Sequence, residues 1–586
     1  MFLAGPCLPI RDNHIPYACE LRTANGNRTT VRAAGELRAH SRMLANARVK
    51  PAPSEDLDSR LRILMMAIKR FIFLTATAII VLLGPFFFGY HFTTIKDASL
   101  SYINSASRSN NFHLLLPATG PNLNFCRLIL SAAITGYPEP IFIGWHGRGM
   151  YNGSESHLFK ITETLTYLRS LPPSSDNELV LVLDAYDVWL QLRPEIMIER
   201  YYKVLRKNDD RLRFEGILGK RYDSFNPPMR NTIVFGPDKI HWPQGSEDPA
   251  TWAVPESSMP RNAFGPDTDT DMYTARPRWL NSGTILGPVK DMRDMFSATV
   301  DMLSRKYNAE YEFRNSDQYY FAEVWAEQEV HRMRLREGEE IFSQPHKLPD
   351  GGVGRIPDIP EGKRTEYGIC LDYETEMFQT AAAYDHHLTW MRFNHSTLHP
   401  DLRRLEDDQR AAETAKGLGR ELRIDEWVLK SDVRRSSPPF SDLRNPPPEQ
   451  SQSSWADVLL GTNVVTQDAF PLFHVTGDKS LRDRWWPRMW FHPFSEQLLK
   501  DTKASQAAQE DPRRFSVVDG VIWRGAIPVM KRNHDDFGLP EDGKDSKGGG
   551  WRDSGEYVHW GDMCGAFEDR NLYVEPVDAG REGKEL

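Results

Sequence analysis

Hydrophobic and polar positions divide this chain into regions of different texture. From Phe71 to Tyr90 it reads FIFLTATAIIVLLGPFFFGY, without a single charge, and matches the roughly 20 residues a helix needs to cross bilayer hydrocarbon. Gly84 and Pro85 would bend that helix, which membrane helices tolerate. After a polar stem, from about Thr93 to Asn110, the period begins to alternate between that of strand and that of helix. His113–Thr119 (HLLLPAT) reads as a strand, Asn124–Thr135 (NFCRLILSAAIT) has helical apolar spacing, and Pro140–Trp145 (PIFIGW) is again a strand. A further helix is predicted from Ser156 to Arg169. Glu178–Asp184 (ELVLVLD) is apolar on both faces, as a central parallel strand should be. The β-α-β beginning predicts an α/β class, with a Rossmann-like, mostly parallel open sheet and flanking helices.

From about residue 400 to 457 the chain turns charged and Pro/Ser-rich (SSPPFSDLRNPPPEQSQSS), which predicts an insertion or mobile loop. Apolar residues return at Val464. The tail from Asp535 onward is rich in glycine and charge, and partial disorder is expected there. The predicted plan is therefore a largely disordered tail (1–70), a transmembrane signal anchor (71–90), a stem (91–110), an α/β domain (111–495) with the insertion, and a C-terminal extension (496–586).

Charge orients the anchor. Arg60, Arg62, Lys69 and Arg70 precede it, whereas only Lys96 follows closely, so the N-terminus is expected in the cytosol and the rest in the lumen, as a single-pass type II protein of the Golgi or endoplasmic reticulum. A buried core helix rarely runs so long without a polar face, and no convincing small-residue cleavage site follows. Met65 or Met66 would serve as an alternative start. The sequons Asn152-Gly153-Ser154 and Asn394-His395-Ser396 agree with a lumenal domain but are weak support.

The net charge of −9 gives no basic face for nucleic acid, which is disfavoured as a partner. Five cysteines without metal spacing argue against a zinc site. Cys126, Cys370 and Cys564 follow the anchor, leaving room for one disulfide whose pairing the sequence leaves open.

The chemistry concentrates in LVLVLDAYDVWLQLRP. Asp184 falls at the carboxyl end of the predicted central strand and Asp187 just beyond it, at the sheet edge where α/β domains bind ligands. Two carboxylates there suit Mg²⁺ or Mn²⁺, hard cations that pair protein carboxylates with substrate phosphates, and such an ion would neutralise the diphosphate leaving a nucleotide sugar. In isolation the pair reads rather as a helix cap and a solvated acid, because such pairs are common.

DAYDVWLQLRP resembles the aspartate-x-tyrosine-aspartate motif in the glycosyltransferase domain of the procollagen lysyl hydroxylases, which has the GT-A fold. Further segments are similar to that family in the same order: TIVFGPDKIHWP (Thr232–Pro243), with His241 where the family has cysteine; LNSGTILG (Leu280–Gly287); NSDQYYF (Asn315–Phe321); ICLDYETEMFQ (Ile369–Gln379); and PLFHVTGDK (Pro471–Lys479). The resemblance spans roughly residues 111 to 495. It implies that Asp184, Asp187 and His474 hold the metal, Mn²⁺ or Mg²⁺, that Trp145 and Tyr186 pack around the nucleotide of a UDP-sugar, and that Lys479 meets its diphosphate. Asn281 and Ser282 would lie near the sugar, Asp317 would orient the acceptor or stabilise positive charge developing on the sugar, and Asp372 would act towards the acceptor, each competing with a plain turn or cap role.

The sequence also departs from the family. The first aspartate of the pair is Ser316, the loop from His474 to Lys479 is short, and an insertion precedes it. The donor sugar, the acceptor and the stereochemical outcome are therefore left open, beyond a glycan or glycoprotein hydroxyl. His534-Asp535-Asp536 has the local form of an iron-oxygenase motif, but the roughly 50 residues after it are too few for the barrel. A catalytically silent, glycan-binding or scaffolding protein of the same fold is the alternative.

Overall fold

The computed structural model describes residues 108–153, 156–338, 346–348, 351–394, 427–444, 446, 450–528, 547–568 and 572–573. The chain divides into two units, 1–103 and 104–586. The first, with the predicted tail and anchor, lies outside the described residues, as do 91–107 of the stem and His534-Asp535-Asp536. Among the described residues no helix is long and apolar enough to cross a membrane.

The second unit is a mixed α/β domain. Its principal elements are β1 (Ser109–Pro117), α1 (Leu123–Thr135), β2 (Ile141–Ile143), α2 (Leu158–Ser170), β3 (Leu179–Leu183), β4 (Val188–Leu190), α3 (Pro194–Phe214), β5 (Ile233–Asp238), β6 (Trp279–Pro288), α4 (Val289–Lys306) and α5 (Asp317–Glu337). There follow β7 (Ile369–Leu371), β8 (Phe378–Thr380), β9 (Leu388–Met391), β10 (Leu460–Asn463), β11 (Asp468–Ala469), β12 (Leu472–His474), α6 (Ser495–Ala507), β13 (Arg514–Val518), β14 (Val521–Gly525), β15 (Gly549–Arg552) and β16 (Tyr557–His559).

The central sheet runs β16-β15-β2-β1-β3-β6-β5-β7, with β14 beside the first half of β1 and β13 beside β14. It is largely parallel. β6 alone in its interior runs against both neighbours, β3 and β5. The double-faced reading of β3 holds: Leu179, Leu181 and Leu183 enter one apolar cluster, with α1, α3 and α6, while Val180 and Val182 enter another, with α2, α4 and α5. β1 alternates likewise, Leu114 and Leu116 facing one side and Leu115 the other. α1 begins where the Asn122 side chain accepts from the Phe125 amide and ends at Gly136, whose φ of 84° suits glycine.

Two predicted boundaries need correction. The domain does not end at residue 495. β14 pairs in parallel with β1 and β15 with β2, Trp523 and Trp560 are buried in the main core, and Cys564 forms a disulfide with Cys126 on α1. Cys370, the third cysteine past the anchor, is buried and free. The supposed insertion is partly core as well: 395–426 lies outside the described residues, but Trp427, Leu429, Val433, Phe440, Leu443 and Trp455 are buried in the same cluster. The Pro/Ser composition hid apolar anchors spaced through it.

Candidate metal and ligand site

A small second sheet, β8-β12-β4, meets the carboxyl end of β3. β12 runs antiparallel to β4 and sets His474 opposite Val188, while the Val475 amide donates to Asp187 O at 2.7 Å. On the other side the Asp184 amide donates to Gly283 O at 2.9 Å, prolonging the β3–β6 ladder. Backbone pairing thus fixes all three expected metal ligands. One ligand atom from each of Asp184, Asp187 and His474 lies within 4.8 Å of the others. His474 Nε2 stands 3.3 Å from Asp187 Oδ1 and 3.9 Å from Asp184 Oδ2. Two carboxylates and an imidazole form a donor set that suits a hard divalent cation, Mn²⁺ or Mg²⁺.

β6 bulges at the site. Its register with β5 breaks between Phe235 and Gly236, where Asn281 takes over from Ile285 as the partner. Bulges re-aim strands beside functional sites, and here the displaced turn presents Gly283 to the ligands. A methyl group on Gly283 would overlap His474 Cε1 and stand 2.8 Å from Asp184 Oδ2. Only a residue without a side chain lets the imidazole and the carboxylate approach each other.

Lys479 Nζ lies 2.5 Å from Asp187 Oδ2 and 2.8 Å from Val475 O. Burial pushes the Asp187 carboxyl upward, but His474 and Lys479 more than reverse this and hold it well below the usual carboxylate range.

The structure adds a residue that the sequence did not offer. Lys160, on α2, is buried and places Nζ 2.7 Å from Asp184 Oδ1, 2.7 Å from Ser282 O and 2.9 Å from Asp317 Oδ2. Burial opposes its charge, yet Asp184 and Asp317 raise its pKa above the ordinary lysine value. Asp317, the first residue of α5, is in turn held below its usual range, as Lys160 and the Ser282 hydroxyl overcome the effect of burial. The signal was a lysine inside the apolar run Leu158-Phe159-Lys160-Ile161, which passes for an ordinary solvent-facing residue of a helix.

Other expected site residues face elsewhere. Asp372 is buried, with its oxygens accepting from the Glu376, Met377 and Phe378 amides at 2.7–3.0 Å; it closes the turn from β7 to β8 and is not open to an acceptor. Its carboxyl is raised to about 7 by burial, those three amides pulling the other way. Trp145 is 5% exposed and packs against Phe142 and Phe125, which leaves little of its ring surface for a nucleotide. Tyr186 is half-buried, and its hydroxyl is committed to Thr119 and Gly120, accepting from their amides at 2.9 and 3.2 Å, so it anchors the β1–α1 loop beside the site. Asn281 also has a local role: Nδ2 donates to Asp238 Oδ2 and Oδ1 accepts from the Gly283 amide, shaping the bulge. Ser282 lies at the site, its amide donating to Gln318 Oε1, its carbonyl accepting from Lys160 and its hydroxyl meeting Asp317.

No protein-family model matches the chain, and a search of curated proteins finds no match.

Proposed function

We propose that this chain is a metal-dependent glycosyltransferase that moves a hexose from a UDP-sugar to a hydroxyl of a lumenal glycan or glycoprotein. In this reading it is a GT-A domain carried on a single-pass type II anchor in the Golgi or endoplasmic reticulum. The observation that carries it is the convergence of Asp184, Asp187 and His474, from two different sheets, beside Lys479. A sheet with one reversed interior strand, β6, and the ordered resemblance to the glycosyltransferase domain of the lysyl hydroxylases support the finer reading.

Asp184, Asp187 and His474 would hold Mn²⁺ or Mg²⁺, which supplies charge neutralisation for the departing diphosphate. The residues of the chain then divide the remaining tasks. Lys160 fixes the second oxygen of Asp184, leaving Oδ2 turned towards His474. Lys479 provides a mobile ammonium for phosphate oxygens. The anionic Asp317, held in place by Lys160, is suited to stabilise positive charge developing on the sugar.

The test is calorimetry of UDP with the full chain in detergent, with and without Mn²⁺, followed by hydrolysis of a panel of UDP-sugars. Wild type is expected to bind UDP only with the metal and Asp187→Ala to lose that binding. If both are inactive on every donor and neither binds UDP with Mn²⁺ present, the enzyme reading fails and the silent scaffold stands.

A further inference from the structure

We propose that Arg482 is a second anion-binding group of this site and grips the diphosphate together with Lys479, an inference that rests on the nucleotide-sugar reading above. Arg482 lies on the short helix Leu481–Trp485, three residues beyond Lys479. Its Nε donates to Lys479 O at 3.2 Å and its Nη1 to Tyr186 O at 3.3 Å. The guanidinium therefore bridges the lysine to the turn that carries both acidic ligands.

Its charge has no local counterpart. Among the described residues no carboxylate lies within ion-pair distance of Arg482, although its neighbours are matched: Asp483 is taken by Arg127 at 2.8 Å, and Lys160 by Asp184 and Asp317. A guanidinium has five N–H donors. Two are used here on carbonyls, both Nη2 hydrogens among those left over, so a fork remains for an incoming acceptor.

The charge count points to a diphosphate. Asp187, here paired with Lys479, would together with Asp184 balance a divalent cation, after which Lys479 and Arg482 would be two cations left for an incoming anion. A diphosphate carries about two to three negative charges. The two cations are not equivalent. Lysine is a point charge on a flexible stem, whereas arginine offers planar, bidentate geometry that fixes orientation.

Arg127 holds this arrangement from beneath. It is fully buried, and its Nη1 donates to Arg482 O at 3.3 Å and Asp483 Oδ1 at 2.8 Å, tying down the backbone that carries Arg482.

The experiment is calorimetry of the full chain in detergent with Mn²⁺, using UDP, UMP and inorganic pyrophosphate as probes. Arg482→Ala should weaken UDP and pyrophosphate by about ten- to a hundredfold and UMP by clearly less, with Arg482→Lys recovering part of the loss. Thermal unfolding checks that each variant is folded, and Arg482→Gln replaces the alanine variant should that one fail. Equal affinity of wild type and a folded variant for UDP and pyrophosphate overturns the role of Arg482 while leaving the nucleotide-sugar reading intact. Absence of UDP binding by wild type, with pyrophosphate binding that still depends on Arg482, keeps the anion subsite and defeats the nucleotide reading instead.

Discussion

Gly283 shows how little space the candidate metal centre has to spare. Its requirement is one of room, because a methyl there would overlap the His474 ring and crowd Asp184. Gly283→Ala should therefore swing the imidazole away from the carboxylates, abolish Mn²⁺-dependent UDP binding in calorimetry, and cost about 1–3 kcal/mol of stability through overpacking. Unchanged metal-dependent binding would show that the triad does not hold the ion. Asp184, Asp187, His474 and Lys479, with Ser282 and Asp317 beside them, were legible as residue types in an ordered series of motifs, whereas Lys160 was not. Lys160 was hidden because a lysine in a helix is ordinarily solvated, and its burial between two carboxylates is set by tertiary packing. Asp372 misled for the opposite reason: a carboxylate after a strand looks available for chemistry until three amides are found to claim it.

Among elements, β1, α1, β2, α2 and β3 were legible because each carries its full period of apolar positions locally. The direction of β6 was not, since its neighbours β3 and β5 are far apart in sequence and no local pattern encodes pairing. β15 and β16 were missed because they are only four and three residues long and β15 is half glycine, their stability coming from the edge of β2 and from Trp551 and Trp560. This C-terminal layer is stapled to α1 by Cys126–Cys564, a link across 438 residues. Closing so long a loop restricts the unfolded chain strongly. Cys564→Ser is expected to lower stability by about 2–5 kcal/mol, measured as the denaturation midpoint against wild type in urea. A midpoint unchanged by the substitution and by reductant would mean that the layer is held by packing alone.

At the scale of the molecule, the buried histidines weaken the fold towards acid. Burial holds the imidazoles of His241 and His492 down to about 4 and that of His387 to about 2, Lys239 and Arg127 adding to the last and to His492 respectively. The unfolded chain, with histidines near 6.5, takes up protons that the folded state refuses, so the contribution of these histidines to stability falls as pH drops below about 6.5. Each histidine contributes at most about 1.4 kcal/mol per pH unit over its window. Burial raises Glu376, but Lys203 and Lys207 draw it down to about 2, so its contribution is present above about pH 4.5 and fades as pH falls towards 2. Asp372 and Glu323, both raised to about 7 by burial, oppose the histidines over the same range, so the histidine part is read by difference. Urea midpoints should fall more steeply from pH 7 to pH 4 for wild type than for His387→Leu, and equal slopes would mean that His387 titrates freely. The staple also has a consequence in time. Cys564 leaves the ribosome 438 residues after its partner, when every member of the metal triad has already been made. Until β15 has been made β2 has no neighbour at its outer edge, and until Cys564 follows Cys126 lacks its disulfide partner. A nascent or prematurely ended chain would carry the whole candidate triad yet leave the outer edge of β2 and the Cys126 thiol unpartnered.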